Sequence, residues 1–271
     1  MVPLISSATT GPAGICQLPR YWWKHTLFRH GRLDAEYPHC SNGLDAWVLE
    51  LGGIDPAEAD EYFDEERPDY AAFEAWYRER AGGNLSPGRV AAHNRRIEER
   101  VFDRSSEYGL RKIKETYGDI GFDLSEPYES AVILNCMQDW QLFHRRDLPR
   151  MARTGMHLPL LISHFDFGTL RLPLLPRTWL KGILPHLKPQ LNETEDEILH
   201  LLAIPPAILF RFLSEDQPDF VTCERWLREN IRGDLAETGA QITASLEARR
   251  GNIAARQFHA WREAWEIIRR G

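Results

Sequence analysis

A chain of 271 residues, 43% hydrophobic and 27% charged, can bury one large core or two small ones and has the balance of an ordinary globular protein. Its 33 Lys and Arg against 40 Asp and Glu leave a net charge of -7, which argues against a dedicated nucleic-acid binder, since those carry a basic surplus. No apolar run approaches the ~20 residues that span a bilayer, and residues 1–15 lack the basic and apolar regions of a signal peptide, so neither nucleic acid nor membrane is an expected partner.

The 4 cysteines, Cys16, Cys40, Cys136 and Cys223, never stand at CxxC spacing. That removes the usual structural zinc site and points to a reducing compartment, the cytoplasm. The 9 Trp are many for this length. Each carries a large apolar ring with one N–H donor, so they are expected to anchor cores or line a pocket.

A first helix is predicted after Leu18-Pro19-Arg20, because proline is tolerated in a first turn. Trp22, Trp23, Leu27 and Phe28 then form an apolar stripe. Gly43 is read as a turn and Asp45 as the cap of a helix over 46–51. Asp69 is placed to cap the helix that carries Trp76, and 90–101 reads as another helix. A long helix over 126–144 would take Ser125 as its cap and Pro127 in its first turn. Residues 157–175, rich in Pro and Gly, read as a loop. Leu175-Pro176-Arg177 opens a further helix, and Asp219 caps the one that carries Trp226. Helices over 242–250 and 254–269 complete the chain, the last amphipathic, with Phe258, Trp261, Trp265 and Ile268 on one side. No stretch alternates apolar and polar residues as a strand would. The expected fold class is all-α.

Two segments repeat. Leu18-Pro19-Arg20, Trp22 and Lys24 match Leu175-Pro176-Arg177, Trp179 and Lys181. Ile54 and Pro56 match Ile204 and Pro206 at a shorter interval, so the second segment has lost residues in between. Pro68-Asp69, Glu74, Trp76, Arg78 and Glu79 then match Pro218-Asp219, Glu224, Trp226, Arg228 and Glu229 in register. Such a pattern predicts a tandem duplication, with copies at 1–147 and 148–271 related by a pseudo-twofold arrangement and the second degenerate.

The first copy resembles a bacterial family described only as a domain of unknown function. The resemblance rests on Leu18-Pro19-Arg20, Lys24, Gly31-Arg32-Leu33, Tyr37, Gly43-Leu44-Asp45, Gly53-Ile54 and Trp76, with Asn94 in the following helix. It covers residues 15–100 and, more weakly, 172–250. It implies a compact helical domain and no particular chemistry. The second copy lacks the Tyr and the Gly-x-Asp.

Polar residues found in one copy alone escape the demands of the shared fold, and they cluster between His25 and Asp45. His39, Cys40 and Asp45, with Tyr37, are the candidate catalytic set of nucleophile, base and orienter, since a thiol needs a neighbouring base or cation to ionise. Arg20, Lys24, Arg29 and Asn94 are the candidate substrate-binding residues, the cations suited to an anionic group. The competing reading makes Cys40 a small buried hydrophobe and sets Arg20 and Lys24 in ion pairs with carboxylates such as Glu79 or Glu229. His144 beside Asp139 or Asp147 is better explained as a basic helix end. No HExxH, Walker loop, GxGxxG or GxSxG motif is present, so no metal is expected, and the sequence leaves the cofactor unknown.

These residues point to a small-molecule enzyme or ligand-binding protein with a polar pocket in the first copy or between the copies. The alternative is a non-catalytic module that offers Trp-rich helical surfaces to a protein partner. The exposure of the Trp rings separates the two.

Overall fold

The structure, a computed structural model, describes residues 1–126, 128–154, 176–184, 187–248 and 250–270. Among them it is all-α, with isolated bridges at Thr10 to Cys16 and Val101 to Ser130 in place of strands. The helices are α1 (Leu18–Arg29), α2 (Leu44–Gly52), α3 (Pro56–Glu66), α4 (Tyr70–Ala81) and, after a 3-10 turn, α5 (Pro87–Glu98). Then come α6 (Glu107–Ile120), α7 (Ala131–Arg146) and α8 (Leu148–Thr154). The chain ends in α9 (Pro176–Ile183), α10 (Glu193–Leu201), α11 (Pro206–Asp216), α12 (Phe220–Asn230), α13 (Leu235–Ala248) and α14 (Arg250–Arg270). No single helix among the described residues is long and apolar enough to cross a membrane.

Local chemistry sets most helix starts. Pro19, Pro56, Pro87 and Pro206 sit in first turns, where a missing N–H costs nothing. Asp69 and Asp219 cap α4 and α12 as expected, accepting from Ala72 N at 2.8 Å and Thr222 N at 2.7 Å. Other starts differ: α13 opens at Leu235 and α14 at Arg250, ahead of the 242 and 254 read from the sequence. Helix α7 begins at Ala131 on a Ser130 cap, because Phe102 N donates to Glu129 O and Ala131 N to Arg100 O, which holds the preceding residues extended beside 100–102. Ser125 closes a turn on Asp123 instead. Helix α2 begins at Leu44 with Gly43 before it, and Asp45 does not cap it. Helix α5 starts at Pro87 and ends before Val101, which lies in the bridge to Ser130. The predicted loop over 157–175 lies outside the described residues.

The matched segments repeat contacts as well as letters. Trp22 donates its indole N–H to Pro68 O at 3.0 Å, and Trp179 to Pro218 O at 2.9 Å. Tyr62 stacks on Trp76 at 4.4 Å between centroids, and Phe212 on Trp226 at 4.7 Å. Arg67 and Gln217 end α3 and α11 in the same left-handed conformation, at φ 44° and 46°. Each cap leaves the chain aimed at the next helix.

Two helices cross between these sets. Trp140 of α7 packs on Trp179 and Phe220, and Gln141 donates to Asp219 at 2.7 Å. Trp261 of α14 packs on Tyr70 of α4, with ring centroids 4.8 Å apart. The helix that follows the first set thus seals the second, and the helix that follows the second seals the first.

Gly182 lets α9 press against α11: a Cβ there would stand 2.4 Å from Leu213 Cδ1, and Leu213 is fully buried. Gly182→Ala therefore forces the two helices apart and should lower the unfolding free energy in urea by about 1–3 kcal/mol. An unchanged urea midpoint would show that this crossing has slack.

Candidate functional site

Helix α1 carries Arg20 and Lys24 one turn apart on a buried face. Lys24 Nζ lies 2.5 Å from Asp45 Oδ2, the side chains 6% and 0% exposed. Asp45 also accepts from Ser41 N at 2.8 Å and Gln17 Nε2 at 2.7 Å. It therefore closes the loop before α2 and holds Gln17, whose φ of 68° is unusual for a residue with a side chain. Arg20 donates to both Asp139 oxygens, at 2.5 and 3.2 Å, and to the carbonyls of Pro3 and Ile5 at 2.6 Å each. Burial by itself would lower the Arg20 guanidinium, but Asp139 more than offsets this and keeps it charged.

The candidate catalytic residues fall around these two pairs. Tyr37 donates to Asp139 Oδ1 at 2.7 Å. Burial and then Asp139 push its hydroxyl far above the ordinary range, so it stays protonated. Cys40 is half-buried, and burial followed by Asp45 and Asp60 raises its thiol above the usual value. That is the opposite of what a nucleophilic cysteine needs. The His39 ring stacks on Phe28 at 4.1 Å, with Nε2 3.5 Å from Asp60 Oδ1. Asp60 Oδ1 also stands 3.1 Å from Arg29 and 3.5 Å from His25 Nδ1. Among the described residues no group of three His, Cys, Asp or Glu is arranged to hold a metal ion.

Asn94 lies apart from this cluster. Its amide donates to Gly14 O at 2.7 Å and accepts from Cys16 N at 2.9 Å, pinning the segment before α1. Arg29 ties α1 to α3 through Asp60 and Asp64. The structure thus unites Arg20 with Tyr37 on Asp139, and Lys24 with Asp45. It sets His39, Cys40 and Arg29 at the edge and Asn94 on another contact. The ion-pair partners differ from those the sequence suggested: Glu79 and Glu229 are exposed, and Asp139 and Asp45 take their place.

The matched acid also survives in the second set. Glu195 Oε2 accepts from Lys181 at 2.5 Å and from Asn192 N at 2.8 Å, as Asp45 does from Lys24 and Ser41 N. Asp45 and Glu195 are separated by the same interval as Ile54 and Ile204. The one-carbon-longer acid and the altered Gly-x-Asp motif hide the match from a reading by letters. An interaction kept in both sets belongs to the fold.

A cleft of about 360 Å³ lies elsewhere, between the segment leading into α7, α7 itself and α12. Met137 and Val221 give it apolar walls. Phe122 and Tyr128 line it with rings stacked 5.4 Å apart and 23° from parallel. Tyr128 is 2% exposed and its hydroxyl has no hydrogen-bond partner. Arg228 lines the cleft with its guanidinium 5.1 Å from the Tyr128 ring centroid, and its Nε is buried without a partner. Both atoms are closed off from solvent within the packed wall of the cleft. Arg225 stands 3.7 Å from Glu126 at the mouth.

None of these residues is among the candidates drawn from sequence. Arg228 and Glu229 recur as Arg78 and Glu79, and comparing the two matched segments discards what both share. The environment differs: Arg78 is exposed, whereas Arg228 is half-buried with its guanidinium over the Tyr128 ring. No protein-family model, no curated protein and no solved structure matches the chain. The family resemblance therefore stands on the quoted motif residues alone.

Two stability tests follow from the polar cluster. Asp45→Ala strands a buried ammonium and should cost about 3–5 kcal/mol in urea unfolding, while the double variant Asp45→Leu with Lys24→Met should recover most of it. A single-variant cost below about 1 kcal/mol would place Lys24 in contact with water. His25 is fully buried, and burial, with lesser repulsion from His39, Arg29 and Lys24, lowers its pKa to about 2 from 6.5. The unfolded chain takes up that proton first, so the stability His25 contributes is complete above pH 6.5 and is lost as pH falls from there toward 2. His25→Gln should flatten the pH dependence of unfolding in this window by up to about 1.4 kcal/mol per pH unit. An identical slope in wild type and variant would show that another group sets it.

Proposed function

We propose that the protein binds a small organic molecule in the cleft between α7 and α12. The observation that carries this reading is the cleft itself, about 360 Å³, with Phe122, Tyr128, Met137 and Val221 as apolar lining and charged side chains of α12 beside them. A volume of about 360 Å³ suits a compact ligand and is too small for a dinucleotide, since small-molecule pockets span about 300–1,000 Å³.

Binding, not catalysis, is the function assigned. Cys40 is held protonated, Tyr37 is committed to Asp139, and Arg20 and Lys24 are neutralised inside the fold. The alternative of a Trp-rich docking module finds less support. All nine Trp rings are buried or half-buried, and the exposed large apolar residues, Phe28, Val101, Tyr108, Leu124 and Ile208, lie on separate elements.

The proposal includes the tandem duplication, with copies at 1–147 and 148–271. It is supported by the repeated Trp to proline carbonyl bonds, the repeated aromatic stacks and the Lys to carboxylate pairs. A cleft between α7 and α12 is then a site between copies, where ligand pockets favour domain interfaces. Four cysteines without a disulfide support a reducing compartment, the cytoplasm.

A thermal-shift screen of amino acids, aromatic carboxylates and nucleosides tests the site. At least one compound should raise the melting temperature of the wild type and lose that effect in both Arg228→Ala and Tyr128→Phe. Hits that persist unchanged in both variants would overturn the assignment of this cleft.

A further inference from the structure

The last turns of α1, α3 and α14 meet at a place that shares no residue with the cleft between α7 and α12. They enclose a notch of about 10 Å³, lined by Thr26, Arg29, His30, Phe63, Arg67 and Trp265. That is room for one water-sized group. Arg269 lies over Trp265, its guanidinium 5.1 Å from the ring centroid. Arg32 follows His30 by two residues, in a turn folded back so that its N–H donates to Leu27 O at 2.7 Å.

Arg29 is already answered by Asp60 and Asp64. Arg32, Arg67 and Arg269 stand in no ion pair among the described residues. His30 feels all three: burial, and then Arg67, Arg32 and Arg269, lower its pKa, and the described side chains acting on it are all cationic. The whole chain has a net charge of -7, so this local field is opposite in sign to the rest. Helix dipoles account for part of it. Each C-terminus carries about half a negative charge, so three ends offset about 1.5 of the three guanidinium charges. The remainder, about 1.5 positive charges, is close to the 1.5 to 2 negative charges that a phosphate monoester carries at about pH 7. Guanidinium forks also match phosphate oxygens in pairs.

We infer that this junction binds a phosphate group, with one oxygen in the notch and the others accepting from Arg32, Arg67 and Arg269. Inorganic phosphate and a small phosphate ester present the same group, and both are used as probes.

Proton NMR of the full chain tests the place, with the His30 ring resonance identified by its absence in His30→Gln. A bound anion offsets the guanidiniums, so inorganic phosphate should raise the His30 pKa, while chloride at equal ionic strength leaves it where it is. Calorimetric titration at neutral pH tests the residues. Arg67→Gln and Arg269→Gln should each weaken phosphate binding about tenfold, the loss expected for one charge-assisted hydrogen bond. Arg80→Gln removes a guanidinium paired with Glu58 away from the notch and should change nothing. Glycerol 3-phosphate binding more tightly than inorganic phosphate would support the site with an ester as its ligand, and equal binding would support it with the free ion. A His30 pKa that phosphate moves no further than chloride does would overturn the inference. So would phosphate binding of full strength in the double variant Arg67→Gln with Arg269→Gln.

Discussion

Asp139 is the residue on which the arrangement turns. It sits in the middle of α7, buried, and accepts from Arg20 of α1 and from Tyr37 of the following loop. A carboxylate taken out of water needs this many donors, and it tolerates little displacement from them. The neighbours of Asp139 inherit that fixity. Trp140 is thereby pressed against Trp179 and Phe220, and Met137, one helical half-turn away, becomes a wall of the cleft. The buried ion pair need add little net stability to matter. Its contribution is register: it sets how far along its axis α7 lies, and hence the width of the space between α7 and α12.

The fold was largely legible in the letters, for reasons that are local. Proline in a first turn and aspartate at a cap act over three or four residues, so Pro19, Asp69 and Asp219 are read correctly without any knowledge of what packs above them. Ser125 was misread because Ser130 offers the same chemistry five residues later, and the choice between them is made by the pairing of 100–102 with 129–131. That pairing joins residues distant in sequence and leaves no local signature. The same limit applied to Lys24 and Arg20. Their role in ion pairs followed from the sequence, but Asp139 lies too far along the chain to be named as a partner.

The cleft was hidden by a different difficulty. Comparing two similar segments isolates residues that differ, and it succeeds only when the site is built from differences. Here Arg228 is common to both segments, and what changes is its setting: its guanidinium lies over Tyr128, and Phe122 and Met137 line the same cleft, none of them with a counterpart in the repeat. A conserved scaffold surface acquires a pocket when a new element is laid across it. By contrast the residues around Asp45 looked functional because they were rich in His, Cys and Asp, yet Asp45 itself is consumed by Lys24, Gln17 and Ser41. Density of reactive side chains is a poor guide where their donors and acceptors already satisfy one another.

The crossing of α7 and α14 has a consequence during synthesis. Tyr70, beside Trp22 in the first set of helices, is covered by Trp261, which leaves the ribosome long after it. At elongation rates of about 5–20 residues per second, the first helices wait on the order of tens of seconds for their last wall. During that interval an aromatic surface lies open on the nascent chain, close to where translating neighbours would present the same surface. The second set closes on α7, which is already made when α9 and α12 emerge, and so has no such wait. The vulnerable period of this protein therefore belongs to its earlier half, the one whose letters look the more complete.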